Sequence, residues 1–236
     1  MKAVILAGGQ GTRMGEETQL RPKPLVEIGG HPIIWHILNL YRFYGISDFI
    51  VCAGYAGEML TEHFAREVNP DWRVQVVDTG LDTATGGRLK RIRPLLGDDT
   101  FCMTYGDGVA DVDLKALLEF HRTHRKLVTV TAVQPVLPFG VITFHTLGGG
   151  TVGFEEKPRL HAVWVSSGFF VIEPKALDLI EGDDEAWENT PLTRLARDGQ
   201  LAAFRHEGFW HCMDTPKDRQ SLEQAWKSGQ APWKVW

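Results

Sequence analysis

The fold of this chain follows from one glycine-rich stretch, Ala7-Gly8-Gly9-Gln10-Gly11-Thr12-Arg13, which Pro22-Lys23-Pro24 closes. Residues 1–6 before it are mostly apolar β-formers, so the stretch is predicted to leave the end of a first, central strand. Three glycines in four positions let the backbone turn sharply and bring its N–H groups close to an anion. Arg13 adds a planar fork of donors, and Lys23 adds a point charge on a segment that its flanking prolines stiffen. The pattern predicts a loop that wraps the triphosphate of a nucleotide.

Two better-known glycine motifs fit this stretch less well. A P-loop ends in Gly-Lys-Ser/Thr, whereas Gly11 is followed here by Thr12-Arg13. A dinucleotide fingerprint needs a third glycine where this chain has Met14, and an acid that ends a second strand about twenty residues further on. Glu27 stands near that distance, but the prolines before it argue against a strand. An NAD-binding oxidoreductase and a simple glycine turn with a solvated arginine remain the alternatives.

The composition limits the classes of protein to consider. The chain has 236 residues, of which 43% are hydrophobic and 23% charged, as in globular proteins with a sizeable core. A net charge of −5 argues against a general nucleic-acid binder. Cys52, Cys102 and Cys212 each lie in an apolar or strand-like run, which favours buried thiols in a reducing compartment. The first apolar run is too short for a signal peptide, and no run is long enough to cross a membrane, so we expect a cytoplasmic protein.

Apolar runs alternate with segments of helical spacing along the chain, which is typical of βαβ units. Strands are predicted over 1–6, 49–53, 74–77, 101–105, 127–133, 163–172 and 201–204. Helices are predicted over 31–41, 58–67, 113–125, 173–180 and 190–197, and from Pro216 onward. Segments 140–144 and 152–154 are predicted to pair around Gly148-Gly149-Gly150. The prediction is an α/β fold with a Rossmann-like, mostly parallel central sheet flanked by helices, and a small antiparallel elaboration in the C-terminal half.

An acid flanked by glycines follows the predicted strand 101–105, in Gly106-Asp107-Gly108. Carboxylate oxygens at a strand end suit Mg²⁺, although an aspartate in a turn often accepts only local backbone bonds. Because the same chain carries a predicted triphosphate loop, we assign Asp107 to Mg²⁺.

Gly8-Gly9-x-Gly11-Thr12-Arg13 followed by Lys23-Pro24 resembles the signature of sugar-phosphate nucleotidyltransferases. The segment 16–30 is similar to the glucose-1-phosphate cytidylyltransferase branch of that family. The resemblance continues over nearly the whole chain, through Asp78-Thr79-Gly80, 85–91, 105–111, Phe209-Trp210, Met213-Asp214-Thr215 and Ala231-Pro232-Trp233-Lys234.

This resemblance implies an enzyme that condenses a nucleoside triphosphate, CTP in this branch, with a sugar 1-phosphate such as glucose 1-phosphate. The products are a nucleotide sugar and pyrophosphate, and the attack is in line and assisted by Mg²⁺. One nucleotidyltransferase domain is implied over 1–236, with 1–135 mainly binding the nucleotide and 136–236 mainly the sugar phosphate. The alternatives are a non-catalytic sugar-nucleotide-binding module of the same fold and a uridylyl or thymidylyl transferase.

The family's functional residues carry over to matching positions. Catalytic roles fall to Arg13 and Lys23, and metal binding falls to Asp107 and Asp214. The implied nucleotide-binding residues are Leu6, Ala7, Gly8, Gly9, Gly11, Thr12, Arg13, Lys23, Thr79, Thr85, Gly86, Gly87 and Asp107. The implied sugar-phosphate-binding residues are Tyr105, Glu156, Lys157, Ser166 and Gly168, with Glu156 on the sugar hydroxyls and Lys157 on the phosphate.

Two departures from the cytidylyltransferase branch bear on partners and substrate. The connection 68–73 is shorter than in that branch, which leaves the family's homo-oligomer open for this chain. Ser166-Ser167-Gly168 replaces Asn-Gly-Gly, and because serine is shorter than asparagine, a sugar other than glucose is also open.

Overall fold

A seven-stranded sheet forms the centre of the protein, described in a computed structural model for residues 1–67, 69–137, 139–144, 150 and 152–236. In spatial order its strands are β12 (Leu201–His206), β8 (Val128–Val133), β11 (Val165–Ile172), β6 (Phe101–Tyr105), β1 (Ala3–Leu6), β4 (Asp48–Ala53) and β5 (Arg73–Asp78). Neighbouring strands are parallel except that β11 runs antiparallel to both β6 and β8. The predicted mostly parallel sheet with β1 near its centre is confirmed.

Helices cover both faces of this sheet, as predicted. They are α1 (Glu16–Leu20), α2 (Ile33–Phe43), α3 (Gly57–Arg66), α4 (Thr85–Leu96), α5 (Leu114–His124), α6 (Thr190–Arg197) and α7 (Pro216–Lys227). Short 3-10 helices cover Thr12–Met14, Lys23–Leu25 and Pro174–Leu179, the last of which lies within a predicted α-helix. None of the helices that the structure describes is long and apolar enough to cross a bilayer.

Three small antiparallel pairs complete the fold. They are β2 (Glu27–Ile28) with β3 (His31–Pro32), β7 (Gly108–Ala110) with β13 (Trp210–Cys212), and β9 (Val141–Phe144) with β10 (Val152–Glu155). The β9–β10 pair confirms the predicted antiparallel elaboration. Of its predicted turn, Gly148 and Gly149 lie outside the described residues.

Strand β1 is buried on both faces, which explains why its sequence is continuously apolar. Ala3 and Ile5 belong to the core under α2, α5 and α7, whereas Val4 and Leu6 belong to the core under α4. Cys52 and Cys102 are buried beside β1, and burial raises the pKa of each thiol to about 12. The prediction of buried thiols holds for these two cysteines, and Cys212 is half-buried.

Candidate active site

A cleft of about 380 Å³ opens at the carboxyl ends of β1 and β6. Its lining residues are Leu6, Ala7, Gly8, Gly9, Gly11, Thr12, Arg13, Lys23, Pro24, Thr83, Ala84, Thr85, Arg88, Tyr105, Gly106 and Asp107. The cleft therefore brings together most of the predicted nucleotide-binding residues, at the edge where open α/β sheets bind ligands.

The glycines of the first loop are required for different reasons. Gly11 has a φ of 63°, a left-handed conformation that favours glycine, and it precedes the 3-10 helix Thr12–Met14. A Cβ on Gly8 would lie 2.2 Å from the Arg88 guanidinium, so Gly8 makes room for that side chain. Gly9 has no atom within 4 Å of its Cβ position and leaves open space.

The side chain of Arg88 fastens the first loop to the rest of the cleft. It is only 4% exposed and donates hydrogen bonds to the carbonyl oxygens of Ala53 (2.9 Å), Gly80 (2.8 Å) and Gly8 (3.1 Å). It also donates to the Thr79 hydroxyl at 2.7 Å, which places the fully buried Thr79 behind the cleft wall. Burial lowers the pKa of the guanidinium. Sequence reasoning missed Arg88; an arginine directly after two glycines at the carboxyl edge of the sheet is the signal that could have found it.

Gly86 and Gly87 lie inside α4 and are not among the residues that line the cleft. Cβ atoms on them would lie 2.4 Å from the carbonyl oxygen of Glu185 and 2.5 Å from that of Asp183. The Gly87 N–H donates to the Glu185 carbonyl at 3.2 Å. The family resemblance implied that Gly86 and Gly87 bind the nucleotide, but protein backbone fills the space beside both glycines. The part of this region that lines the cleft is Thr83-Ala84-Thr85.

Replacing Gly87 with alanine is expected to destabilise the protein by about 1–3 kcal/mol, since overpacking against backbone outweighs the gain of about 1 kcal/mol in helix propensity. Urea unfolding measures this change. Gly9→Ala, at a site with no atom within 4 Å of the new Cβ, is the control and should leave the unfolding free energy unchanged. An unchanged Gly87→Ala variant would contradict the packing role.

Four charged side chains form a chain of ion pairs at one end of the cleft. Lys23 Nζ lies 2.7 Å from Asp107 Oδ2 and 2.7 Å from Asp214 Oδ1, and Arg13 Nη1 lies 3.0 Å from Asp214 Oδ2. The Lys23 side chain is only 10% exposed. Burial acts to lower the pKa of Lys23, but the two carboxylates outweigh it and raise that pKa. Lys23 therefore carries its charge at neutral pH.

Pairing of β7 with β13 brings the two carboxylates together. Asp107 precedes β7, Asp214 follows β13, and the Met213 N–H donates to the Asp107 carbonyl at 2.8 Å. Thr215, the next residue, caps α7 in a capping box with Asp218, so Asp214 is not the N-cap of this helix. The Asp214 carboxylate is thus directed to the cleft cations rather than to the helix.

These two carboxylates fit a divalent metal. They already converge on a cation, the Lys23 ammonium, and oxygen ligands suit Mg²⁺. Among the described residues, no group of three or more His, Cys, Asp or Glu forms a closed cage. Mg²⁺ is commonly bound by one or two carboxylates, with water and substrate phosphates as its other ligands.

The predicted sugar-phosphate residues fall into two groups. Tyr105 lines the cleft and packs on Gly168, whose Cβ position lies 2.3 Å from the Tyr105 ring. Gly168 has a φ of 82° and follows Ser166 at an irregularity in the β11–β8 pairing. Glu156 and Lys157 are exposed beyond β10, pair with each other at 3.3 Å, and are not among the residues lining the cleft. The structure thus joins Tyr105 and Gly168 to the cleft but not Glu156 and Lys157.

A model of the nucleotidyl transferase family matches residues 2–218. The chain is 47% identical to glucose-1-phosphate cytidylyltransferase of Salmonella typhimurium and 41% identical to the probable glucose-1-phosphate cytidylyltransferase of Bacillus subtilis, with 100% of each chain covered in both comparisons. The solved structure of HddC from Yersinia pseudotuberculosis complexed with GMP-PN superimposes with a TM-score of 0.76 at 20% identity, over 95% of this chain and 99% of that one. The structural match shows a shared fold.

Proposed function

The chain belongs to the nucleotidyl transferase family, and within it we propose that this protein condenses CTP with a sugar 1-phosphate to give a CDP-sugar and pyrophosphate. The observation that carries the proposal is the meeting of Arg13, Lys23, Asp107 and Asp214 beside a glycine loop in one cleft. The cytidylyltransferases to which the chain is 47% and 41% identical support the reaction and the choice of base.

The reaction needs no nucleophile from the protein. The attacking group is an oxygen of the sugar phosphate, which is already ionised near neutral pH because the second pKa of a phosphate monoester is about 6. The barrier arises from repulsion between two polyanions and from charge that develops on the leaving pyrophosphate. Positioning and electrostatic stabilisation lower such barriers.

The charged side chains divide this work. Arg13 and Lys23 exchange their carboxylate partners for the triphosphate and neutralise it, Arg13 through its planar fork and Lys23 as a point charge. Members of the family typically use a divalent metal. Asp107 and Asp214 would hold Mg²⁺, which supplies positive charge next to the reacting phosphates.

The base and the sugar bind in different parts of the cleft in this proposal. Thr83 and Ala84 offer polar groups to the pyrimidine, while Tyr105 and Gly168 form the sugar end. The proposed contacts of Glu156 with the sugar hydroxyls and of Lys157 with the sugar phosphate rest on the family resemblance alone. Location in the cytoplasm and the absence of nucleic-acid ligands are proposals that rest on composition.

We expect kcat/KM for CTP to exceed that for UTP and dTTP by about a hundredfold or more. Cytosine presents an amino donor and a ring acceptor where uracil and thymine present an acceptor and an N–H donor. A site that hydrogen-bonds one pattern leaves buried groups unpaired with the other. Pyrophosphate release with each triphosphate and several sugar 1-phosphates measures the preference, and a preference for UTP would contradict it.

Ser166→Asn is expected to change which sugar 1-phosphate is preferred without changing the preference for CTP, because Ser166 lies on β11 beside Gly168. The same pyrophosphate assay measures both ratios. Ser221→Asn, the same change on the exposed face of α7, is the control. A Ser166→Asn variant with altered base preference and unaltered sugar preference would show that the two pockets are placed the wrong way round.

A further inference from the structure

One carboxylate at the cleft has no assigned role. Glu188 lies in the connection between the 3-10 helix Pro174–Leu179 and α6, and its side chain reaches two residues that line the cleft. The Thr85 hydroxyl donates to Glu188 Oε2 at 2.6 Å, and the Tyr105 hydroxyl donates to Glu188 Oε1.

The connection that carries Glu188 is firmly anchored. The Trp187 side chain is fully buried in the core under α4, and the Trp187 N–H donates to the Thr85 hydroxyl at 2.9 Å. Further back, Asp183 pairs with Arg91 at 2.7 Å and its carbonyl accepts from the Ala84 N–H. The backbone that carries Glu188 is therefore held by the core, and the exposed Glu188 side chain is positioned by its two hydroxyl partners.

Glu188 differs in its partners from two other acids of this connection. Asp183 and Glu181 are paired with Arg91 and Arg194, whereas the contacts of Glu188 among the described residues are the two hydroxyl groups. An ionised carboxylate can accept about four hydrogen bonds, so capacity remains after these two. The Glu188 carboxylate repels the phosphates of both proposed substrates. The only donors that these substrates offer it are neutral hydroxyl and amino groups.

The position of Tyr105 indicates which donor this is. The Tyr105 ring packs against Gly168 on β11, and both residues belong to the sugar end in the proposed function, whereas the proposed triphosphate contacts are Arg13 and Lys23. Hexose hydroxyls are the neutral donors that a sugar 1-phosphate brings to this end. We propose that Glu188 is a specificity-determining residue that accepts a hydrogen bond from a ring hydroxyl of the sugar 1-phosphate. The inference rests on the proposed function and names a residue for its sugar end.

Glu188→Gln is expected to raise KM for the sugar 1-phosphate about 10- to 100-fold, the scale for a hydrogen bond to a charged group, with KM for CTP within about twofold of wild type. With a series of monodeoxy sugar 1-phosphates, the variant and the wild type should become equal for the analogue that lacks the hydroxyl bound by Glu188. Glu181→Gln, the same change in the same connection at a residue paired with Arg194, is the control.

A second variant distinguishes a direct hydrogen bond between Glu188 and the sugar from an indirect effect of Glu188 on the position of Tyr105. Tyr105→Phe removes one bond to Glu188 but keeps the carboxylate and the ring, so it should raise KM for the sugar 1-phosphate less than Glu188→Gln does. An unchanged KM in Glu188→Gln, a changed CTP-to-UTP ratio, or equal losses with every deoxy analogue would overturn the inference while leaving the proposed function intact. A wild-type protein that releases no pyrophosphate with any pair of substrates would remove both.

Discussion

Asp107→Asn is expected to lower kcat by about a thousandfold or more, and Asp214→Asn should behave alike. Each change removes one of the two carboxylates that would hold the metal, and a metal ion supplies several kcal/mol of charge stabilisation to such a reaction. Folding should be preserved, because the bond from Met213 to Asp107 uses the Asp107 backbone carbonyl and β7–β13 pairing does not need the carboxylate.

Mn²⁺ binding in the presence of CTP, followed by electron paramagnetic resonance, reports on the same site without turnover. We expect both variants to bind Mn²⁺ more weakly than the wild type does. Asp98→Asn, at a fully exposed residue that pairs only with Arg93 among the described residues, is the control for loss of one surface charge. Near-wild-type pyrophosphate release by both Asp107→Asn and Asp214→Asn would remove the metal assignment.

Lys23→Ala is expected to cost about 2–4 kcal/mol of transition-state stabilisation, about 30- to 1,000-fold in kcat/KM for the triphosphate. Arg13→Ala should fall on the same scale. The geometry also predicts that one property improves in Lys23→Ala, namely the affinity for the metal. Because the Lys23 ammonium lies 2.7 Å from both carboxylates, it competes with a metal for them, and Lys23→Ala should bind Mn²⁺ more tightly than the wild type when no nucleotide is present.

Measuring both kcat/KM for the triphosphate and Mn²⁺ binding without nucleotide distinguishes loss of the Lys23 ammonium from general disruption of the cleft. A disrupted cleft would weaken both nucleotide and metal binding, whereas loss of the ammonium alone weakens the first and strengthens the second. Lys90→Ala removes a lysine that donates to the Glu181 carbonyl outside the cleft, and should change neither. If Lys23→Ala or Arg13→Ala affects only KM for the sugar phosphate, the loop does not cradle the triphosphate.

The parts of the site that could be predicted from the sequence depend on local pattern. A continuously apolar run before a glycine loop indicates a buried parallel strand and its exit, and the structure confirms β1 in that place. Asp107 was predicted by the same logic, since it stands two residues after the end of β6 at the same edge. Residues at the carboxyl ends of neighbouring parallel strands lie at the same edge of the sheet, so their proximity can be predicted from the strand pattern alone.

The parts that could not be predicted depend on packing between distant segments. Gly86 and Gly87 look like a ligand loop in sequence, but they admit backbone atoms of Asp183 and Glu185. The placement of Glu188 depends on that same contact, which no periodicity reveals. Asp214 was found only through family resemblance, because its meeting with Asp107 requires the short β7–β13 pair.

The most direct test of the proposed function is pyrophosphate release by the wild-type protein from CTP and Mg²⁺, with and without glucose 1-phosphate or another sugar 1-phosphate. We predict release that depends strictly on the sugar 1-phosphate, with one CDP-sugar formed for each pyrophosphate. Release in the absence of any sugar phosphate, or no release with any triphosphate and sugar pair, would contradict the account.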